Sequence, residues 1–532
     1  MQAFYLAWKF RSLYWTATVG RLDRYLYPWY AADIASGKIT SDDALELLCD
    51  LWRRMNESGS GDTLMNVMLG GQSPDGTDET NDLSILMVCA SAAVRLSEPH
   101  INYRYHKGMR EDFLREITRL QLLGQGQGTM FNDEVLIPSM IRAGVKPEHA
   151  YDYANDGCTE VICDRKSAIH LRVFDTVKCL ELALWNGNPP PLPGDPVVGY
   201  WTHSAPVGKW ETTLELGVES GNCADAEDFE SVLQAFYRQM RVQAVRCAKA
   251  LIQEYRLGDV IWASPAFVTG TFPELLESGN DCLGNGLPET CLTFFAGGLA
   301  TVADSLAAIR NVVFEQRLCS MEQLLSALKA DFEGYAELRQ ALLAAPKFGN
   351  DDDAADLLAA EIAAEIALVL QDVGKTENVR LWPSLFGHMF VQEAWYTGAT
   401  PDGRRWREPI APHFSPVPGR AVKGPTAILN SAAKTDLSPF YGNAPVYIAL
   451  SRSVLPEGIA GENAVRALFD AAVEKRMVCV NLAIHDVEEM RRAQKDPASY
   501  GDLIVRVWGY SARFIDLTPE MQEHIIARTS GI

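Results

Sequence analysis

Apolar side chains recur along this chain every three to four residues, which predicts several long amphipathic helices. In the segment 228–256, Val232, Leu233, Phe236 and Met240 fall on one stripe. The segment 41–58 opens with Ser41, followed by two aspartates, which is typical of a helix start. The predicted helices are 2–15, 41–58, 111–124, 228–256, 321–345 and 353–371.

Short β-branched runs between these helices predict buried strands. They cover residues 259–262 and 477–483, and residues 102–105 alternate with a period of two. Residues 186–194 and 406–424 are rich in proline and glycine, so we expect loops there. Helices that alternate with short apolar strands indicate an α/β fold with a mainly parallel sheet.

Length and charge exclude several classes of protein. The chain has 532 residues, 47% of them hydrophobic and 22% charged, which suits one large unit or two packed domains. Its formal net charge of −21 argues against a partner such as nucleic acid or an anionic membrane, which attracts a basic surface. The sequence shows no apolar run of 18 residues and no basic segment typical of a signal peptide.

The cysteine pattern argues against a metal site. Eleven cysteines are scattered singly, and no CxxC pair is present, so neither a zinc ribbon nor an iron–sulfur cluster is predicted. An odd, scattered set of cysteines is typical of a reducing compartment, which predicts a cytoplasmic protein.

Two motifs far apart in the chain carry the chemistry. Residues 506–514 read RVWGYSARF, with Gly509 at the centre, and residues 157–160 read GCTE, with Cys158 and Glu160. Alone, a glycine near a C-terminus is usually part of a turn, and a single cysteine is usually a small buried apolar residue. The two motifs together resemble the RVxGYxxxF and GCxE signatures of the glycyl radical enzymes.

Further blocks extend the resemblance over almost the whole chain, in the family's order. They are residues 20–28 (GRLDRYLYP), 131–134 (FNDE), 303–309 (ADSLAAI), 346–352 (PKFGNDD), 397–404 (TGATPDGR) and the closing segment 516–529. The resemblance implies a ten-stranded α/β barrel of two five-stranded parallel halves, surrounded by helices and followed by a glycyl radical domain. We expect the barrel domain over residues 1–400 and the radical domain over 401–532.

The resemblance also implies the roles of three residues. Gly509 stores a backbone radical, which a separate radical-SAM activase installs, so that no cofactor is bound. Glycine suits this role because it has no Cβ to clash when the radical centre flattens. Cys158 then abstracts a hydrogen atom from the substrate, and Glu160 acts as general acid/base. The implied partners are the activase, a small-molecule substrate and a second copy in a homodimer.

The residues around the cysteine select a subgroup. Gly157 stands where pyruvate formate-lyases have a second cysteine, and only Cys479 lies where class III ribonucleotide reductases have a zinc-binding pair. The GCxE motif therefore resembles the dehydratases, the C–N and C–S lyases and the arylacetate decarboxylases. We expect an anaerobic lyase or dehydratase. A radical decarboxylase and a non-catalytic or incomplete paralogue are the alternatives.

The departures from the family concern the N-terminus and the substrate pocket. Relatives carry some two hundred or more residues before the GRxDQY segment, so this is a short natural form, an incomplete gene model or a chain completed by a partner. Trp15 and Thr16 stand where diol dehydratases have a His-Ser pair, and His170 and Arg172 lie near the position of their aspartate. This pattern favours a small anionic substrate over a neutral polyol, because the fork of Arg172 suits a carboxylate, sulfonate or phosphate.

For each pocket candidate a structural role is the alternative. Trp15 is either a pocket wall or a core aromatic, and Arg172 either binds the substrate or forms a surface salt bridge. His106 ends a period-two run and is either directed into the site or a core histidine. His388 lies in a segment where the family has a loop beside the pocket.

Overall fold

The computed structural model describes residues 17–58, 64–194, 217–257, 269–270, 272–282, 286–388 and 390–530. The described residues form two compact units. The first comprises the described residues within 1–169, 258–291 and 441–532, and the second those within 170–257 and 292–440. Each unit is therefore assembled from segments that are distant in the sequence.

The strands are listed in chain order. They are β1 Ala17–Gly20, β2 Met65–Gly70, β3 His100–Tyr105, β4 Thr129–Asn132, β5 Tyr153–Asp156, β6 Glu160–Cys163, β7 Ser167–Asp175, β8 Glu289–Gly297, β9 Leu381–Ser384, β10 Pro445–Ser451, β11 Cys479–His485, β12 Ile504–Arg506 and β13 Ser511–Arg513.

The α-helices of the described residues follow the same order. They are α1 Leu22–Ala35, α2 Ser41–Ser58, α3 Asp82–Val94, α4 Glu111–Leu122, α5 Asp133–Arg142, α6 Pro147–Ala150, α7 Thr176–Leu184, α8 Phe229–Leu257, α9 Pro273–Ser278, α10 Leu299–Ala308, α11 Met321–Lys329, α12 Ala336–Ala344, α13 Asp353–Glu377, α14 Phe390–Tyr396, α15 Pro425–Ala433, α16 Ile459–Glu474, α17 Val487–Lys495 and α18 Pro519–Ser530.

The first unit is built on a six-stranded sheet in the order β1-β2-β3-β4-β11-β10. Neighbours from β1 to β4 are parallel, as are β10 and β11, whereas β11 pairs with β4 in the antiparallel direction. Every residue of β2, β3 and β4 is buried, as expected for parallel strands covered on both faces. Two short antiparallel hairpins, β5–β6 and β12–β13, belong to the same unit.

The second unit combines a three-stranded sheet with long helices. The sheet has the order β7-β8-β9, and β8 and β9 are parallel. Helices α8 and α13 pack against each other. The predicted stripe of α8 is buried, with Val232, Phe236 and Met240 fully excluded from solvent.

Most of the elements predicted from the pattern are confirmed. Helices α2, α4 and α8 match their predicted segments, α13 continues to Glu377, and the predicted strand 477–483 is β11, displaced by two residues. The α/β class is confirmed, whereas the sheets of the described residues do not by themselves form the ten-stranded barrel. The predicted helix 2–15 and strand 259–262 lie outside the described residues.

The prediction of one helix over residues 321–345 is wrong. The segment contains two helices, because α11 ends at Lys329 and α12 begins at Ala336. Asp331 and Phe332 have left-handed backbone angles, and so does Gly334, with a φ of +80°. A left-handed residue cannot continue a right-handed helix, so the helix is interrupted here. The apolar period nevertheless continues through the segment, which is why the sequence predicted one helix.

Candidate active site

Cys158 lies at the tip of the hairpin formed by β5 and β6. Residues 157–159 form the turn, and Asp156 pairs directly with Glu160 at its base. Gly157 adopts a φ of +56°, and a Cβ there would stand 2.7 Å from a carboxylate oxygen of Glu160. Glycine is therefore required for the turn and for the close approach of the Glu160 side chain.

Gly509 lies at the tip of the second hairpin, formed by β12 and β13. The turn is closed by a hydrogen bond of 2.8 Å from the Val507 N–H to the Tyr510 carbonyl. Arg528, on α18, donates to the carbonyls of Arg506 and Val507 and bonds the Tyr447 hydroxyl at 2.8 Å. The last helix thus holds the chain on the approach to Gly509.

The two hairpin tips are in contact. A Cβ placed on Gly509 would overlap the Cβ of Cys158. The added atom would also lie 2.5 Å from the Cα and 2.8 Å from the Sγ of Cys158. Since a Cα–C bond is about 1.5 Å long, the Gly509 Cα lies within about 4.3 Å of this sulfur. Only glycine, which has no Cβ, fits at this contact.

Burial keeps the sulfur protonated. Cys158 is 6% exposed, and burial raises the pKa of its thiol well above the usual value, with a further increase from the charge of Glu160. Arg506 and a hydrogen bond from the Gly509 backbone act in the opposite direction and lower this pKa. The group is therefore a thiol that can give and regain a hydrogen atom, rather than a thiolate nucleophile.

Glu160 is also protonated near neutral pH. Burial raises the pKa of its carboxyl from 4.5 to about 8, although the Thr159 N–H donates to it at 2.8 Å. A carboxylic acid that keeps its proton at neutral pH can serve as a general acid. Its neighbour across the hairpin, Asp156, raises the pKa further.

A row of buried polar side chains supports both hairpins and was not predicted from the sequence. Asn66, Asn102, Thr129 and Asn481 lie on β2, β3, β4 and β11, and we call them the polar stripe. Arg506 bonds the stripe from the glycine hairpin. These positions are far apart in the chain and belong to no local motif, so no spacing could have identified them.

In the structure, both ring nitrogens of His106 contact polar groups of the protein. Its Nε2 is 3.1 Å from an oxygen of Asp78, and its Nδ1 accepts a hydrogen bond of 3.2 Å from the Gly108 N–H. Both ring nitrogens are thus occupied, which favours the core-histidine interpretation. Trp15 and Thr16 lie outside the described residues.

His170, Arg172 and His388 belong to the second unit. The His170 ring packs edge-on against Tyr255, and Arg172 forms an ion pair with Glu254. His388 packs against the rings of Phe295 and Phe386, which also contact each other, and burial lowers the pKa of its imidazole to about 4. Roles for these three residues in substrate binding stay predictions.

Among the described residues no group of three or more histidine, cysteine, aspartate or glutamate side chains has a metal-binding arrangement. No described helix is long and apolar enough to cross a membrane. None of the eleven cysteines, all of which lie in the described residues, forms a disulfide.

An α/β fold in which a C-terminal turn carries a glycine against a buried cysteine is the arrangement of the glycyl radical class. Residues 2–388 match the family model "Pyruvate formate lyase-like", and residues 410–515 match the model "Glycine radical". The chain therefore belongs to the pyruvate formate lyase-like family of glycyl radical enzymes, which confirms the resemblance seen in the motifs.

Individual relatives agree with this assignment. The chain is 30% identical to the isethionate sulfite-lyase of Bilophila wadsworthia, covering 97% of this chain and 62% of the relative. It is also 30% identical to the trans-4-hydroxy-L-proline dehydratase of Clostridioides difficile, covering 97% and 64%. The B12-independent glycerol dehydratase of Clostridium butyricum has a similar structure, with a TM-score of 0.84 and 28% identity over 96% of this chain and 64% of that one. The chain spans less than two thirds of the length of each.

Proposed function

We propose that this protein is a glycyl radical lyase or dehydratase that acts anaerobically on a small anionic substrate. The observation that carries the proposal is the contact between Gly509 and the buried thiol of Cys158. The protonated carboxyl of Glu160, next to that thiol, supplies the acid that an elimination requires. Relatives named as a sulfite-lyase and as a dehydratase support the reaction class.

The proposed reaction uses hydrogen atoms and one proton donor. The radical at Gly509 takes the hydrogen atom of the Cys158 thiol, and the resulting sulfur radical takes one from a substrate carbon. The leaving group then departs with the proton of Glu160, and the proton released when a neighbouring hydroxyl becomes a carbonyl, or a neighbouring amine becomes an imine, restores the carboxyl. The product radical regains a hydrogen atom from Cys158, and the sulfur regains one from Gly509.

Several finer features belong to the same proposal. A radical-SAM activase removes one hydrogen atom from Gly509 to install the radical, and the protein acts as a homodimer in the cytoplasm. The fold is a ten-stranded barrel, which the parallel run β1-β2-β3-β4 supports. A radical domain after residue 400 is supported by the glycine-radical match over residues 410–515.

The direct test is activation under strict exclusion of oxygen with a radical-SAM activase, S-adenosylmethionine and a reductant. We expect an electron paramagnetic resonance (EPR) doublet from the single hydrogen left on the Gly509 Cα. Absence of this doublet after activation, under conditions that activate a relative such as the isethionate sulfite-lyase, would contradict the proposal. A doublet without turnover of any compound tested would favour the non-catalytic alternative.

We predict that Glu160→Gln keeps the doublet but lowers kcat by a factor on the order of 10²–10⁴, because the amide cannot donate the proton that a general acid supplies. The raised pKa of about 8 sets the pH dependence. The acid form is present below this pH and is lost as pH rises through it, so kcat/KM falls on the alkaline side. The residual activity of the glutamine variant should not show this decrease, and an unchanged pH profile in the variant would refute the assignment.

We predict activity on a substrate that carries a carboxylate or sulfonate, with isethionate and trans-4-hydroxy-L-proline as first candidates, and none on glycerol or 1,2-propanediol. If Arg172 binds the anionic group, Arg172→Ala raises KM about 10- to 100-fold, since a hydrogen bond to a charged group contributes about 1.5–3 kcal/mol. Glu254→Gln is the matched control, because it removes the ion-pair partner of Arg172 and leaves the cation. Robust dehydration of glycerol, or equal KM values in both variants, would overturn this prediction.

A further inference from the structure

The polar stripe contacts both hairpins of the candidate site. On one side, the Asn66 Nδ2 donates to the Gly157 carbonyl at 2.6 Å, and the Asn102 Nδ2 donates to the Asn155 Oδ1 at 3.1 Å. The Gly157 carbonyl belongs to the peptide bond that enters Cys158. The stripe therefore holds the cysteine turn directly at the residue before the thiol.

A second amide holds the other end of the cysteine turn. The Nδ2 of Asn443 donates to the Thr159 carbonyl, and the Val161 N–H donates to the Gly442 carbonyl at 3.2 Å. Both neighbours of Cys158 in the chain thus have their carbonyls bonded to buried asparagine side chains. Hydrogen bonds on both sides of Cys158 restrict movement of the turn backbone.

The other half of the stripe holds the glycine hairpin. The Arg506 Nη2 bonds the Thr129 Oγ1 at 2.8 Å and the Asn481 Oδ1 at 3.1 Å, and its Nη1 bonds the Gly126 carbonyl at 3.1 Å. The Arg506 Nε donates a hydrogen bond of 2.9 Å to the carbonyl of Trp508, the residue before Gly509. Arg506 thereby links the polar stripe to the turn that contains Gly509.

The stripe consists of two hydrogen-bonded pairs that lie side by side in the sheet. The Asn102 Nδ2 donates to the Asn66 Oδ1 at 2.9 Å, Thr129 donates to Asn481 at 2.6 Å, and Asn102 is directly opposite Thr129 in the pairing of β3 with β4. All four side chains are at most 2% exposed. Each of these bonds is costly to break, because the buried groups that form it would be left without a partner. The Asn102 Oδ1 and the Asn481 Nδ2 have no hydrogen-bond partner among the described residues.

We propose that the polar stripe is a positioning element for hydrogen-atom transfer, which fixes the distance between the Cys158 sulfur and the Gly509 Cα through its bonds to both turns. The inference rests on the proposed function and adds to it a group of residues that act through the two turns. Transfer between two fixed centres depends steeply on geometry, and a displacement of about 1 Å can cost on the order of 10²-fold in rate.

The transfer can be measured without a substrate. In D₂O the Cys158 thiol exchanges its proton for deuterium, and each round of transfer to and from Gly509 then replaces hydrogen at the radical carbon. The EPR doublet collapses to a singlet at the rate of transfer, while the total spin reports how much radical was installed. The rate of collapse therefore measures hydrogen-atom transfer, and the total spin measures radical formation.

Two variants address the two sides of the stripe. Asn66→Ser removes the amide that holds the cysteine turn, because a serine hydroxyl is too short to reach the Gly157 carbonyl. Thr129→Val keeps the shape of the side chain but removes the hydroxyl that Arg506 bonds. The control is Asn132→Ser, which removes an equally buried amide that donates to the Met477 carbonyl at 2.8 Å in the same sheet.

We expect Asn66→Ser and Thr129→Val to retain at least about half of the parent spin and to slow the collapse of the doublet about tenfold or more, whereas Asn132→Ser matches the parent rate. Parent-like rates in both stripe variants, or equal slowing in the control, overturn the inference while the proposed function stands. If Asn66→Ser does not fold, the nearly isosteric Thr129→Val decides by itself. A parent protein without any doublet overturns the proposed function and the inference with it.

Discussion

Gly509→Ala is expected to yield no glycyl doublet and no turnover after activation. The added methyl would overlap the Cβ of Cys158 and stand 2.8 Å from its sulfur, and it would also oppose flattening of a radical centre. Forcing an extra carbon into a packed site costs about 1–3 kcal/mol, so the variant should also have a lower free energy of unfolding. Spin quantification by EPR and a denaturant titration measure the two effects.

A matched glycine separates the local effect from a general one. Gly501 lies in the same C-terminal segment, and a Cβ placed there would meet no atom within 4 Å, so Gly501→Ala should keep both the doublet and the stability. Activated parent protein should in addition be cleaved at Gly509 on exposure to air, giving a fragment that begins near Tyr510. A normal doublet from Gly509→Ala would refute Gly509 as the radical site.

The motif residues were predictable from the sequence because each depends on local chemistry. Gly509 and Cys158 lie in short segments whose residue types are specific, and both segments form the turns of antiparallel hairpins. Helices such as α2 and α8 were predictable because their apolar period and first residues are also local. The break after Lys329 was not predicted, because left-handed backbone angles at Asp331 and Phe332 leave no mark on the apolar period.

The support of the site depends on contacts that a sequence pattern does not contain. Asn66 is 91 residues from Gly157, and Arg506 is 377 residues from Thr129. An isolated asparagine in an apolar run reads equally well as the end of a strand. Its contribution becomes visible only when β2, β3, β4 and β11 lie side by side and their polar residues form one row. The raised pKa of Glu160 is likewise a consequence of burial, which the sequence alone does not establish.

Cys158→Ser is expected to separate storage of the radical from its use. The serine side chain has nearly the same shape as cysteine, so Gly509 keeps its surroundings and the doublet should form at close to the parent yield. Turnover should fall below detection, because an O–H bond is much stronger than an S–H bond and the hydroxyl cannot pass its hydrogen atom to the radical. The doublet should also persist in D₂O without collapsing to a singlet.

The same hairpin offers a control for this last variant. Cys163, on β6, is fully buried and lies five residues beyond Cys158, so Cys163→Ser introduces the same change of atom without altering the contact with Gly509. It should retain turnover and the collapse of the doublet in D₂O. Turnover in Cys158→Ser at the parent rate would show that hydrogen leaves the substrate by a route that does not involve this sulfur. Loss of the doublet itself in Cys158→Ser, with Cys163→Ser unaffected, would instead mean that the thiol is required to install the radical and not only to transfer it.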